Sequence, residues 1–485
     1  MGNTIRKGKR FAALVLAAML AAGLLGGCND TTTTLNPSGS SGGSSGGETS
    51  ETPEETYTFP DLDLNQYEFK IAEAWSYGET DRPPTEYGVS DLGDAILDRN
   101  QAIEDALNCT ITLEYYDPYN FFDLVTTSIM AGDKIADVMT PVVFNFGKFV
   151  NAEQLYDLNE LPGVDLSKPW WNQTIPAITT FGGKVYGASA QFARVEGEAV
   201  GVFYNRRILN EIGMQDPQEL VAQGAWDLDA FKEYVAKGMK DLNNDGVFDD
   251  NDQWSVTGEC TEAMYSLFVG GGNKILDTVD GKVTYMLGEA SSIDYMLKMK
   301  DVFEPQGSYY NPNWDFGKQL TNFVGGKVFL FIGALLHYPD MRDMADDFGV
   351  LPIPAAPGSD TYYSLITHNS PIVCVPTTID NPEATGAILE AMAALSEPEF
   401  DIWFDDYSTL TLRDDESVHV ARDIVIPSLT LELAHTGHFL SAEMTAATDG
   451  ILTNPILIDR TQEPASAVDA VKEQAQAIVD EIYNK

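Results

Sequence analysis

The sequence predicts an α/β protein of two lobes, with a ligand cleft beside the point where the chain crosses from one to the other. Three observations carry that expectation. Strand and helix patterns alternate between residues 66 and 141, which means a parallel sheet covered by helices. A short apolar run, Ala199 to Tyr204, then passes into an amphipathic segment whose Ile208, Leu209 and Ile212 recur at helical spacing before Gly213 stops it. A longer, more helical stretch follows. The run at 199–204 is therefore read as the crossing from one lobe to the other, with the acid Glu198 at its entrance.

The elements follow in order. Gln66 to Trp75 alternates in apolar character and reads as the first strand. Asp91 to Leu107 has helical spacing, Cys109 to Tyr116 is a second strand, Phe121 to Ala131 a second helix, and Ile135 to Pro141 a short third strand. Ligands of such sheets sit beyond the carboxyl ends of the strands, which places Trp75 and the loop Thr140–Phe146 at the cleft. Of the adjacent Trp170 and Trp171, one at most faces a ligand, and packing explains the other. Gly182 to Gly187 is a tight turn into a strand. Past the crossing, a helix over Trp226–Leu242 has Asp227 as its N-cap. Helices near Glu262–Val269 and Ser291–Glu304 come next, then strands within 323–333, 347–354 and 371–376, the last a return crossing. Glu383–Leu395 and Ser466–Ile482 are amphipathic helices.

The chain begins with an address. Arg6, Lys7, Lys9 and Arg10 precede an apolar stretch, Phe11–Leu25, that is short for a transmembrane helix. It ends in Leu25-Gly26-Gly27-Cys28, which resembles the lipobox of bacterial lipoproteins, in which the cysteine is diacylated after cleavage. Two acyl chains suffice for stable anchoring, so the resemblance implies a tethered protein that does not span the membrane. Asn29 to Pro60 is almost all Thr, Gly, Ser, Glu and Pro and reads as a flexible stalk with a reach of roughly 30 Å. Its two Gly-x-Ser-x-Gly matches lack the strand and helix that a nucleophile elbow needs.

Charge narrows the function classes. Against 29 Lys and Arg stand 74 Asp and Glu, a net charge of −45, which disfavours nucleic acid and anionic lipid as partners. Cys109, Cys260 and Cys374 show no metal or redox spacing and read as buried free thiols. There is no HExxH, no P-loop, and no triad spacing among His337, His368, His419, His435 and His438.

Two constellations carry chemistry. In Asp241 to Asp252, oxygen ligands fall at loop positions of the calcium-binding type: Asp241, Asn243, Asp245, Asp249 and Asp252, with the Val247 carbonyl and the turn glycine Gly246. Aspartate in place of glutamate at the last position predicts weak, structural Ca²⁺ binding, about 10⁻⁴ M or weaker. The second constellation is aromatic: sugars present apolar C–H faces, and carbohydrate clefts meet them with aromatic platforms and carboxylates. Trp75, at the end of the first strand, and Trp314, in the polar loop Asn311–Asp315, are the better placed of the seven tryptophans.

The motifs together resemble family 1 extracellular solute-binding proteins of carbohydrate ABC transporters, the maltodextrin-binding type. The resemblance rests on "ADVM" (136–139), "GGKVYG" (182–187), "VFYNRRIL" (202–209), "WDLDAFKEYV" (226–235), "FVGGKVFLF" (323–331), "FGVLPIP" (348–354) and "NPEATGAILEAM" (381–392), in that order along essentially the whole chain. It implies a periplasmic-binding-protein-like fold of type II, two α/β lobes joined by a hinge with the ligand cleft between them, one lobe from 61–198 plus about 372–420 and the other from 199–371 plus about 421–485, after a signal at 1–27 and a lipidated linker at 28–60. It also implies an acid seven residues before the "YN" asparagine that binds a sugar hydroxyl, here Glu198. The ligand-binding set expected from these readings is Trp75, Pro141, Phe144, Asn145, Trp171, Glu198, Tyr265, Trp314, Leu336 and His337. The loop after the "ADVM" strand lacks the charged pair of the relatives, and Leu335-Leu336-His337 stands where they carry a tryptophan, which points away from maltodextrin itself.

The function expected is that of a monomeric, non-catalytic receptor, lipid-anchored through Cys28 on the extracellular face of the membrane. It would capture an oligosaccharide and deliver it to an ABC permease. The alternatives are a glycan-active enzyme, marked by a carboxylate pair with a raised pKa in the cleft, and a receptor for a peptide or another non-sugar solute.

Overall fold

The computed structural model describes residues 56–74, 86–337, 341–437 and 441–484. The signal, Cys28 and most of the linker lie outside the described residues, as do Trp75 and the side chain of His337. Among the described residues no helix is long and apolar enough to cross a membrane.

The first sheet is parallel. Strand β1 (Tyr67–Ala74) lies in the middle, with β2 (Cys109–Tyr116) on one side and the short β3 (Val138–Thr140) on the other. Tyr67 pairs with Cys109 and Ala74 with Tyr116, while Glu73 stands opposite Thr140, so all three strands end at one edge. Parallel neighbours need crossovers, and two capped helices supply them. Helix α1 (Asp91–Leu107) starts where the Ser90 side chain accepts from the Gly93 N–H, and ends at Asn108 in the left-handed region. Helix α2 (Pro118–Ala131) has Pro118 in its first turn, the Asp117 carboxylate on the Tyr119 N–H, and Gly132 at φ 75° beyond its end.

The second sheet has five strands. β4 (Val200–Asn205), β5 (Trp254–Gly258), β6 (Tyr309–Tyr310), β7 (Val328–Ala334) and β8 (Phe348–Leu351) lie in the order β6-β5-β7-β4-β8. β4 alone runs against its neighbours: Ala334 of β7 pairs with Val200, and Leu351 of β8 with Val202. All six residues of β4 are buried, as expected of a central strand that is apolar on both faces.

Two chain segments return to the first sheet. Residues 371–376 do not form the regular strand expected from sequence. Prolines at both ends lack the N–H that a ladder requires, and the segment joins by single bridges, Cys374 to Met139, Pro371 to Val142 and Val373 to Ala188. Helix α3 (Pro382–Leu395), capped by Asn381, then packs Ile388 and Met392 into the core around Phe69, Ile103 and Val138. Gly386 lies so close to the Pro162 carbonyl that an added Cβ would stand 1.8 Å from its oxygen.

Helix α4 (Glu397–Thr411) is not among the elements that the sequence pattern predicts, because its acids and aromatics alternate without a clean apolar face. It is nevertheless held firmly: Glu399 accepts from Arg99 of α1 at 2.6 Å, with both side chains buried. The helix expected over Trp226–Leu242 is shorter, Leu228–Gly238, with Asp227 capping it as predicted. Trp226 lies before it, fully buried with its indole N–H on the Pro352 carbonyl. The three cysteines outside the signal region are free and buried.

The Arg99–Glu399 pair makes a stability prediction. Arg99→Met strands a buried carboxylate and is expected to cost about 3–5 kcal/mol, whereas Arg99→Met with Glu399→Leu regains most of that loss. Urea unfolding of the wild type and both variants measures the difference.

Candidate functional site

The parallel strands of the second sheet end at Gly258, Tyr310, Ala334 and Leu351, and β4 begins at that same edge because it runs the other way. The segment entering β4 is therefore delivered to the edge where strands β5, β6 and β7 finish. Leu335 confirms the level, since its N–H donates to the Ala199 carbonyl.

That entering segment, Arg194 to Glu198, touches both sheets. Arg194 adopts φ 55°, and its guanidinium meets Glu73, at the carboxyl end of β1, at 3.2 Å. Such a backbone conformation is uncommon away from glycine and is retained where the surroundings enforce it. A Cβ on Gly197 would stand 3.5 Å from the Trp403 ring of α4 and 3.8 Å from Leu336, just past β7. Glu198 is buried, and the Thr367 hydroxyl donates to its carboxylate, while the Thr367 N–H donates to the Glu198 carbonyl. Glu198 and Leu336, both expected at the site, are thus brought together with Arg194, Glu73 and Trp403, which the sequence reading missed. A signal was present: charged residues recur at 194, 196 and 198, every second position before an apolar strand.

A second cluster adjoins the first through residues 367–368. His368 Nδ1 and the His368 N–H both meet the Glu262 carboxylate in the first turn of the helix Cys260–Gly270. The His435 ring stands beside the same carboxylate, with Nε2 3.8 Å from its oxygen, and stacks on Tyr265 at 4.5 Å. Burial alone would raise the Glu262 pKa, but the two imidazoles outweigh it and hold the carboxyl well below its usual range. Burial alone would likewise lower the pKa of His368, but Glu262 pushes it up, to about 9. Toward the first sheet, His368 approaches the Phe144 ring at 6.1 Å, and Phe144 stacks on Tyr119 at 5.7 Å. Tyr119 is 73% exposed and begins α2 just beyond β2. An aromatic row therefore runs from solvent at the edge of the first sheet, through His368 and His435, to the buried Tyr265 of the helix Cys260–Gly270.

Several expected ligand residues have other tasks. Trp171 is 2% exposed, and its indole N–H donates to Glu390, which also accepts from Trp170; satisfying a buried indole has drawn both rings onto α3. Asn145 is buried with its amide on the Pro118 carbonyl, which fixes the start of α2. The Pro141 carbonyl accepts from the Ile372 N–H and so holds the return segment. Tyr265 is fully buried, its hydroxyl on Asp449, and supports His435 from beneath. Trp314 is 51% exposed after β6, on the same sheet edge as Glu198 but three strand spacings away, about 14 Å.

The Asp241–Asp252 loop has its turn at Asn244 and Gly246, both at positive φ. Its carboxylates accept from backbone: Asp241 from Asn244 and Gly246, Asp245 from Val247, and Asp252 from Leu242 and Asp249. The Asn243 side chain accepts from the Asp245 N–H, and that of Asp249 from Asn251. Among the described residues no three carboxylate, imidazole or thiol side chains form a group able to hold a metal ion.

The Glu262–His368 contact sets a pH dependence. His368 has a raised pKa in the folded protein, so its stabilisation is complete below the unfolded value, about 6.5, and is lost as pH rises through about 9. The melting temperature is expected to fall across that window in the wild type and to flatten in His368→Gln.

The comparisons with known proteins agree with this fold. The chain resembles an ABC substrate-binding protein of Listeria monocytogenes in complex with cycloalternan (TM-score 0.56, 13% identity, 85% of this chain and 99% of that one). It also resembles the maltose-binding periplasmic protein of the same organism in complex with maltose (0.58, 13%, 87% and 100%). A third match is a cyclic alpha-maltosyl-1,6-maltose binding protein from Arthrobacter globiformis (0.58, 12%, 85% and 99%). At these identities the likeness establishes the fold, a two-lobed type II periplasmic-binding-protein architecture. Among curated proteins none matches. The sequence profile of the family described as bacterial extracellular solute-binding protein matches residues 101–399, more than half of the chain, with the whole second sheet and two strands of the first. The chain belongs to the bacterial extracellular solute-binding protein family.

Proposed function

We propose that this protein is the carbohydrate receptor of an ABC importer, binding an oligosaccharide between its two sheets and presenting it to a permease. The observation that carries the reading is the meeting of both carboxyl edges at residues 194–198. There a buried acid, an arginine–glutamate pair and the Trp403 ring converge, with the Tyr119–Phe144 stack nearby. Carboxylates and guanidinium bind hydroxyls, and flat rings take the apolar faces of sugars. Family membership and three structural relatives crystallised with or named for a glycan support the same reading.

The receptor is non-catalytic and monomeric, and it works from the outer face of the membrane, tethered by lipid on Cys28. Closure of the two sheets about the crossings at 198–200 and 366–370 is driven by a ligand that binds the closed state better. A thermal-shift screen of the full chain against oligosaccharides tests the capture. One glycan at 100 times its Kd should add about 2.7 kcal/mol and be recovered unchanged. Glu198→Gln is expected to weaken binding by tenfold or more. Consumption of the glycan would instead indicate an enzyme, and no shift with any sugar would indicate a peptide or another solute.

We also propose that the Asp241–Asp252 loop takes a structural Ca²⁺ ion. The support is its ligand spacing, and binding requires the carboxylates to exchange backbone N–H groups for the ion. The expected outcome is a rise in melting temperature with millimolar Ca²⁺ that Asp245→Ala abolishes and Glu198→Gln leaves intact.

A further inference from the structure

Single apolar residues are common on protein surfaces, and exposure by itself assigns no role. Tyr119 combines exposure with a fixed position. Among the described residues no aromatic side chain is more exposed. Its backbone N–H donates to the Asp117 carboxylate at 2.8 Å, and the carbonyl of the preceding Pro118 accepts from the buried Asn145 amide at 2.6 Å. One face of its ring lies on the buried Phe144, with an interplanar angle of 25°. The other face is open to solvent.

Contacts tie that ring to the crossing. Phe144 stands in the first turn of the helix Val143–Asn151, whose Val143 and Phe144 N–H groups donate to the carbonyls of Ser370 and His368. The Phe144 ring approaches the His368 ring, and the neighbouring Thr367 gives its hydroxyl to the Glu198 carboxylate. A short chain of contacts therefore leads from Glu198, at the entrance of β4, to Tyr119, at the carboxyl edge of the first sheet. Tyr119 is the member of that chain which opens to solvent.

A bare ring face selects by shape. It attracts the C–H groups of a pyranose and offers no partner to a hydroxyl turned toward it, so an axial oxygen pressed onto the ring loses its water without replacement. β-Glucosyl units carry no axial oxygen on either face, and α-glucosyl units keep one face clear. α-Mannosyl units carry an axial oxygen on each face. We propose that Tyr119 is a specificity-determining platform: it stacks one sugar unit on its open face and selects glycans whose pyranose units have a face clear of axial oxygen, rejecting α-mannosyl chains. This rests on the carbohydrate reading above. Because Asp117, Asn145 and Phe144 fix the residue before a ligand arrives, little freedom is lost on stacking.

Isothermal titration of the full chain with cellotetraose, maltotetraose and an α-linked mannotetraose tests the proposal. A glucan is expected to bind, and the mannotetraose to bind about tenfold more weakly, the upper end of what one aromatic contact contributes. Tyr119→Ala should weaken the glucan by about the same factor and leave the mannotetraose as it was. Tyr119→Phe should keep the wild-type affinity, since the face of the ring is used and not its hydroxyl. Both variants are expected to melt near the wild-type temperature, because the side chain is exposed, and this separates a lost contact from lost folding. Glucan affinity unchanged in Tyr119→Ala, an equal loss in Tyr119→Phe, or mannotetraose bound as tightly as the glucans overturns the proposal and leaves the carbohydrate reading standing. Silence with all three overturns the proposal, and the wider glycan screen above then decides the carbohydrate reading.

Discussion

The candidate site depends on one constraint, the antiparallel seating of Val200–Asn205 between two strands that run the other way. A parallel strand in that place would begin at the opposite edge and carry the crossing away from the strand ends. Because this strand is reversed, its entrance coincides with the exits of its neighbours. The polypeptide must therefore pass from the first sheet to the second at the edge where ligands of α/β sheets bind. The register is strongly held, since a one-residue slip would turn every side chain over, and here both faces are buried. Position of crossing and position of the candidate site follow from one geometry.

The crossings are joined to each other by polar bonds. Thr367 gives its hydroxyl to the Glu198 carboxylate and its N–H to the Glu198 carbonyl, and His368 ties the same segment to the second sheet through Glu262. Hydrogen bonds of this kind contribute about 1 kcal/mol each, more where charged, and they demand direction. They fix where the two segments pass, beside Val195, Ala199 and Ile366, which are buried in the core. Away from the crossings the arrangement changes. One face of the first sheet packs a core around Phe69, Val138 and Ile388, while its other face, with Ala72 and Met139, joins the larger core that also holds Phe203, Phe231 and Phe331.

Much of this was legible in the sequence. The alternation over 66–141, the apolar run at 199–204 and the cap at Asp227 follow from local rules of periodicity and capping, and the strands and helix start lie where those rules put them. Glu198 stands out in the sequence as an acid at the entrance of an apolar run, and the structure places it, buried, at the crossing. What failed is what depends on distant partners. The charges at 73 and 194 are 121 residues apart and meet only through β1. Helix Glu397–Thr411 shows no clean apolar face because it is wedged between α1 and the turn Gln191–Ala193 and buries residues on more than one side. The segment 371–376 looked like a strand from its apolar run, yet its two prolines allow only isolated bridges.

The tryptophans explain why composition alone is a poor guide to a sugar site. An indole carries one N–H, and a buried indole must be placed where that donor finds an acceptor. Trp170 and Trp171 find Glu390, Trp226 the Pro352 carbonyl and Trp254 the Asp249 carbonyl, so the fold has already committed four of these rings to its own carbonyls and carboxylates. A ligand platform needs a different situation, with one ring face held by the protein and the other open. Tyr119 has it: one face lies on Phe144, and the residue is 73% exposed at the end of the first sheet. Trp403 is held similarly, stacked on Tyr407 at 5.3 Å with its edge beside Gly197. The aromatic residues available to a ligand are therefore those whose stacking the fold completes on one side only, and that property is set by tertiary contacts that residue type does not encode.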